Sequence, residues 1–110
     1  MKTALIVSTN LGREDHGIMT FMLNIRTGSY GCMVGGYALD GYQKSTKKRI
    51  FYPKSMEVIS KILEVVGVDY WEELPGKYIR FEEGRTGIIK KIGNIIEEKW
   101  IDFPEFFEED

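Results

Sequence analysis

Seven of the twelve glycines in this 110-residue chain lie between residues 12 and 41, inside runs that otherwise alternate like β-strands. Glycine weakens a strand interior unless a bulge, a sharp bend or a close neighbour needs the room. A first half built this way is directed towards a strongly curved antiparallel sheet. The alternation is clearest over Gly17–Arg26. Met19, Phe21, Leu23 and Ile25 share one face, and Thr20 and Asn24 share the other with Ile18 and Met22. Arg26-Thr27-Gly28-Ser29 is a hairpin signal. Ahead of this unit, Thr3–Thr9 is rich in β-branched residues and reads as a buried strand. After it, Tyr30–Tyr42 is strand-like but must bend at Gly31, Gly35, Gly36 and Gly41.

The period then changes. Gln43–Lys54 reads as a lysine-rich loop and Ser55 as the N-cap of a helix. Met56, Ile59, Ile62, Leu63 and Val66 form its apolar stripe, Val58 and Val65 widen it, and Gly67 stops it. Asp69-Tyr70-Trp71-Glu72 fits a capping box for a single turn that Leu74-Pro75-Gly76 ends. Lys77–Glu82 alternates as a strand, Glu83–Gly87 turns, and Ile88–Ile92 and Ile95–Ile101 read as strands broken at Gly93-Asn94. Asp102, Pro104 and Glu105 start a short last helix that presses Phe106 and Phe107 onto the body. The expected fold is α+β in a single domain, residues 1–110. A curved antiparallel sheet of five or six strands packs on one main helix, with short helices after residues 69 and 102.

The bulk properties narrow the class. The chain supports one modest core, and 43% hydrophobic residues with 13% aromatic is too apolar for disorder. No apolar run approaches the roughly 20 residues that span a bilayer, and the run after Met1 is too brief for a signal peptide. A cytoplasmic protein without membrane contact is expected. Cys32, the single cysteine, excludes an internal disulfide and a cysteine-based zinc site, and it reads as a small buried strand residue. The net charge of −2 hides an asymmetry: residues 1–54 carry eight Lys/Arg against three Asp/Glu, and residues 55–110 carry seven against fourteen. Such halves are two solvated faces of one domain, or they let one molecule's tail meet another's basic patch and so form a homo-oligomer.

Four segments can carry chemistry. Gly12-Arg13-Glu14-Asp15-His16-Gly17 holds the only histidine, between two carboxylates and bracketed by glycines. Arg13, Asp15 and His16 converge on a polar ligand, or the loop is a solvated turn that caps its own backbone. Histidine as a residue type suits an acid, a base or a phosphate donor near neutrality. No nucleophile elbow surrounds Ser8, Thr9 or Thr20, and no ligand set for a metal is apparent. No cofactor is expected. In the second segment, Gly35 and Gly36 either curve the strand or open a pocket walled by Tyr30 and Tyr37; the spacing is not a dinucleotide fingerprint. Lys44, Lys47, Lys48 and Arg49, interleaved with Tyr42, Phe51 and Tyr52, suit a nucleic-acid backbone and stacked bases. The pI near 5.5 argues against a dedicated nucleic-acid binder. Trp71, ahead of Pro75-Gly76, plugs the end of a core or, if exposed, serves as an interface hot spot.

Five segments taken together resemble a group of small accessory proteins of bacteriophages and prophages. They are Gly-Arg-Glu-Asp-His-Gly-Ile (12–18), Gly-Gly-Tyr-Ala-Leu-Asp (35–40), Ile-Leu-Glu-Val-Val-Gly-Val (62–68), Trp-Glu-Glu-Leu-Pro-Gly-Lys-Tyr-Ile-Arg (71–80) and Lys-Trp-Ile-Asp-Phe-Pro-Glu-Phe-Phe (99–107). The resemblance runs over nearly the whole chain and brings no reaction with it. It implies a phage protein in the host cytoplasm that blocks a host defence protein or captures a small nucleotide-like, phosphorylated ligand. The favoured expectation is a non-enzymatic binding protein whose site is Arg13, Asp15, His16 and Tyr37. The alternatives are a compact nucleotide-processing enzyme using His16 and a single-stranded nucleic-acid accessory protein using Lys44–Tyr52.

Overall fold

A computed structural model describes residues 2–14, 16–84 and 87–108. Eight strands and two helices follow one another. They are β1 (Lys2–Glu14), β2 (Ile18–Thr27), β3 (Tyr30–Ala38), β4 (Asp40–Gln43), β5 (Lys48–Phe51), α1 (Ser55–Val66), β6 (Tyr78–Glu83), β7 (Ile89–Asn94), β8 (Trp100–Asp102) and α2 (Phe103–Glu108). A single 3-10 turn, Trp71–Glu73, lies between α1 and β6. Six strands form one antiparallel sheet in the order β3-β2-β1-β6-β7-β8, and β4 and β5 form a separate two-stranded ribbon. This is the expected α+β architecture.

The core fills the concave side of the sheet. Phe21, Leu23 and Ile25 of β2, Ile79 and Phe81 of β6 and Ile92 of β7 are buried there against Val58, Ile59, Ile62 and Val65 of α1. Each such side chain contributes roughly 1.5–3 kcal/mol of transfer free energy. The apolar face read over Met19–Ile25 is thus the core face. The face of α1 is rotated from the expected stripe. Leu63 and Val66 are half-buried at its margin, and Met56 is 71% exposed, because the first turn of α1 overhangs the sheet.

Local chemistry explains the element ends. Ser55 is not the N-cap. Lys54 holds that position without a side-chain cap, and the Ser55 N–H donates to the Tyr52 carbonyl at 3.0 Å. Gly67 ends α1 as expected, with φ +91° and its N–H on the Leu63 carbonyl at 2.8 Å. The reach-back bond of the next turn comes from Glu73: its Oε1 accepts from the Tyr70 N–H at 3.0 Å and the Asp69 N–H at 3.2 Å. Ile95–Ile101 is mostly not strand. Asn94 Oδ1 accepts the N–H groups of Ile96 and Glu97, each at 2.8 Å, and turns the chain out of the ladder. The last helix starts where the sequence places it, with Asp102 Oδ1 accepting from the Glu105 N–H at 3.0 Å.

Two irregularities shape the first half. In β1 the register passes from Ile6↔Ile25 to Ser8↔Asn24, so Val7 is an extra residue. The bulge inverts the parity of the strand. Ala4 and Ile6 face the core before it; Leu11 and Arg13, opposite Phe21 and Met19, take that face after it. In β3 the register shifts between Met22↔Gly35 and Thr20↔Ala38. A Cβ at Gly35 would lie 2.5 Å from the Phe21 carbonyl oxygen and 3.0 Å from the Phe21 ring, at a φ of +115° that side chains avoid. The room made by glycine here is filled by Phe21. No helix among the described residues is long and apolar enough to cross a membrane.

Candidate functional site

Two hairpins project side by side from one end of the sheet. The first joins β1 to β2, with Glu14↔Ile18 as its last pair, so Gly12, Arg13 and Glu14 are strand residues rather than loop. Its tip carries His16 at φ +64°, followed by Gly17 at +83°. Non-glycine residues are uncommon in this left-handed region, and histidine is among the more frequent of them. The second hairpin is the β4–β5 ribbon, closed by Gln43↔Lys48. Lys47 at its tip has φ +56°. Lys48 and Arg49 are therefore on a strand that the sequence reading placed in a loop.

Asp40 clamps the ribbon to the sheet. Leu39 donates its N–H to the Met19 carbonyl at 2.8 Å, and Met19 returns its N–H to Asp40 Oδ1 at 3.0 Å. Arg49 grips the same carboxylate with two bonds, Nε to Oδ2 and Nη2 to Oδ1, both 2.9 Å. These Arg49 hydrogen bonds are the main reason the buried Asp40 carboxyl is lowered to about 2; the Met19 N–H and the field of Arg13 act the same way, against the cost of burial.

A cleft of about 300 Å³ opens where the two hairpins meet the first turn of α1. Leu39 and Ile59, both buried, and Met19 form its floor; Leu11, Phe51 and Met56 form its walls. Among the described residues its one polar lining residue is Ser55. Phe51 is 59% exposed, so the wall is available to a partner. Arg13 shares a strand face with Leu11 and is paired with Met19, which places it on the cleft side of the hairpin.

The sequence-predicted residues are distributed as follows. Arg13 and His16 are exposed on the first hairpin, and Asp15 lies outside the described residues. Tyr37 faces elsewhere. Its ring sits 5.5 Å from Phe103 and 4.9 Å from Phe107 in an aromatic cluster at the end of the core, and burial pushes its hydroxyl upward. Trp71 packs edge-on against Phe21 in the same region, at 6.4 Å. Lys44, Lys47 and Lys48 are exposed at the ribbon tip, whereas the guanidinium of Arg49 is engaged by Asp40. Cys32 is half-buried on β3. Among the described residues no group of three or more His, Cys, Asp or Glu is placed to hold a metal ion.

Sequence reasoning passed over Leu11, Leu39 and Asp40 as site residues, and gave Phe51 a place only in the nucleic-acid segment. Leu11 and Asp40 stand beside a glycine in the sequence and Leu39 does not, and the cleft depends on contacts between segments far apart in the chain. No family model, curated protein or solved structure matches this chain, so a functional reading rests on the residues themselves.

Proposed function

We propose that this chain is a non-enzymatic binding protein that holds a protein partner in the cleft between its two hairpins. The observation that carries the reading is the gathering of exposed Leu11, Phe51 and Met56 around one apolar cleft, with Tyr42, Ile50 and Tyr52 exposed on the adjoining ribbon. Exposed apolar side chains gathered around a cleft mark interaction sites. Among the described residues the lining offers one hydroxyl and no charged group. It therefore suits an aromatic or aliphatic side chain better than a phosphate, which needs several hydrogen-bond donors. Arg13 and His16 meet the partner from the hairpin tip. On the resemblance to phage accessory proteins, the partner is a protein of the infected cell, and occupation of the cleft blocks it.

The test is site-specific photo-cross-linking in producing cells. A cross-linker at position 56, in the cleft wall, is expected to trap a discrete protein, and the product should disappear when Leu11→Asp is added. A cross-linker at exposed Tyr78, away from the cleft, is expected to trap none. Equal labelling from both positions, or no protein from position 56, removes the reading.

A second reading draws on one further observation. Tyr42, Phe51 and Tyr52 are exposed beside Lys44, Lys47 and Lys48, which is the composition of a single-strand stacking platform. Quenching of tyrosine fluorescence by oligothymidylate that persists at high salt would favour it.

A further inference from the structure

We infer that the segment held in this cleft is acidic: a stretch of the partner protein that presents one large apolar anchor flanked by carboxylates. The inference rests on the binding function proposed above and adds the chemistry of the partner.

The anchor follows from the cleft. About 300 Å³ is the lower end of the usual range for ligand pockets. Leu11, Met19, Met56 and Ile59 make the lining mainly aliphatic and flexible. Such a lining adapts to a leucine, methionine or phenylalanine side chain; a nucleobase is better served by flat aromatic faces.

The carboxylates follow from the charge around it. Among the described residues Asp40 is the one buried acidic side chain, and Arg49 already neutralises it through two hydrogen bonds. Arg13 is left as surplus positive charge two strand positions from Leu11. Lys44 and Lys47 extend the same sign at the tip of the ribbon, with Lys48 beside them on the strand face opposite Phe51. Among the described residues none of these four takes part in an ion pair. Among the described residues, Glu14 is on the opposite strand face from Arg13, paired with Ile18, and neither Glu14 nor Glu57 forms an ion pair with any of the four. An apolar cleft with a basic border is complementary to an apolar anchor with acidic flanks, and that complementarity sets specificity and encounter rate.

The experiment uses the full chain and three fluorescein-labelled peptides read by anisotropy. One is rich in glutamate with a central Leu-Phe pair. The second keeps the charge and replaces both anchors by alanine. The third keeps the anchors and replaces glutamate by lysine. The first is expected to bind, with affinity falling as salt rises, and the other two to bind at least about tenfold more weakly. Arg13→Glu and Met56→Glu, both at exposed positions, are each expected to weaken the first peptide about tenfold with an unchanged melting temperature. Equal binding of the alanine peptide would reduce the interaction to charge alone and overturn the inference. So would equal binding of the lysine peptide, no binding of any peptide, or tighter binding of oligothymidylate or oleate. A protein trapped from position 56 through a neutral or basic segment would leave the binding function standing and remove only this inference.

Discussion

Asp40 and Arg49 are joined by two parallel hydrogen bonds of 2.9 Å across the β4–β5 ribbon, and Asp40 also accepts the Met19 N–H at 3.0 Å. One carboxylate thus fixes the ribbon to β2 and sets one side of the cleft. Its pH dependence has a definite sign. The folded carboxyl is lowered to about 2, below the ordinary aspartate value of about 3.9. A lowered carboxyl contributes stability that is fully present above the unfolded value and is lost as pH falls through the folded one. The denaturant midpoint should therefore fall between about pH 4 and pH 2. In Asp40→Asn the midpoint should be lower at neutral pH and flatter across that window. A wild-type midpoint that is level over the same range would show that this contact does not hold the fold.

Gly93 lies under the Trp100 ring, its cross-strand partner. A Cβ added there would come within 2.5 Å of Trp100 Cε3. The ring also carries Arg80 at 4.6 Å and Lys91 at 4.8 Å and donates Nε1 to Glu98 Oε2 at 3.1 Å. It cannot move aside without breaking that set. Gly93→Ala should cost about 1–3 kcal/mol, the usual range for overpacking. Adding Trp100→Ala to Gly93→Ala should return part of the loss. Urea unfolding of the two single variants and the double variant checks this, and strict additivity would refute the steric cause.

Ile62 is fully buried beneath the sheet while Met56, on the same helix, is 71% exposed. Ile62→Ala should destabilise by about 2–5 kcal/mol. Met56→Ala should stay within about 0.5 kcal/mol of wild type, as a surface change does. Comparable losses at the two positions would mean that α1 is seated on a different face.

Asn94 links three segments. Its Nδ2 donates to the Val65 carbonyl at 2.9 Å at the end of α1, and its Oδ1 accepts from Ile96 and Glu97. Asn94→Ala should lose about 1–3 kcal/mol. Hydrogen exchange should quicken selectively at the Ile96 and Glu97 amides. Unchanged protection there would show that the loop is held by Arg80, whose Nη2 donates to the Glu97 carbonyl at 2.7 Å, rather than by Asn94.

Local signals account for much of the fold. The alternation of β2, the αL glycine after α1, the hairpin at Gly28 and the Asp102 cap are short-range effects, decided by steric preference or by one hydrogen bond within a few residues. Those features are legible in the amino-acid sequence because the chain needs no distant partner to express them. Where two local preferences compete, the reading goes astray. Ser55 is a good cap by type, yet the helix begins at Ser55 itself, with Lys54 at the N-cap. Ile95 and Ile96 are strand formers, yet Asn94 captured the amides that a ladder would need.

The cleft belongs to the other category. The sequence by itself determined that Arg13, Met19, Phe51 and Met56 are present, and that the first half carries the positive charge. Tertiary structure alone decided which way they face. One extra residue at Val7 reverses the parity of β1 and turns Leu11 and Arg13, instead of Gly12 and Glu14, towards the cleft. The bond from the Met19 N–H to Asp40, whose carboxylate Arg49 also holds within the ribbon, brings the ribbon, and Phe51 with it, to the same place. Both are non-local. A bulge is defined only against the partner strand, and such a bond only by the approach of two segments, so neither leaves a periodic trace in the chain.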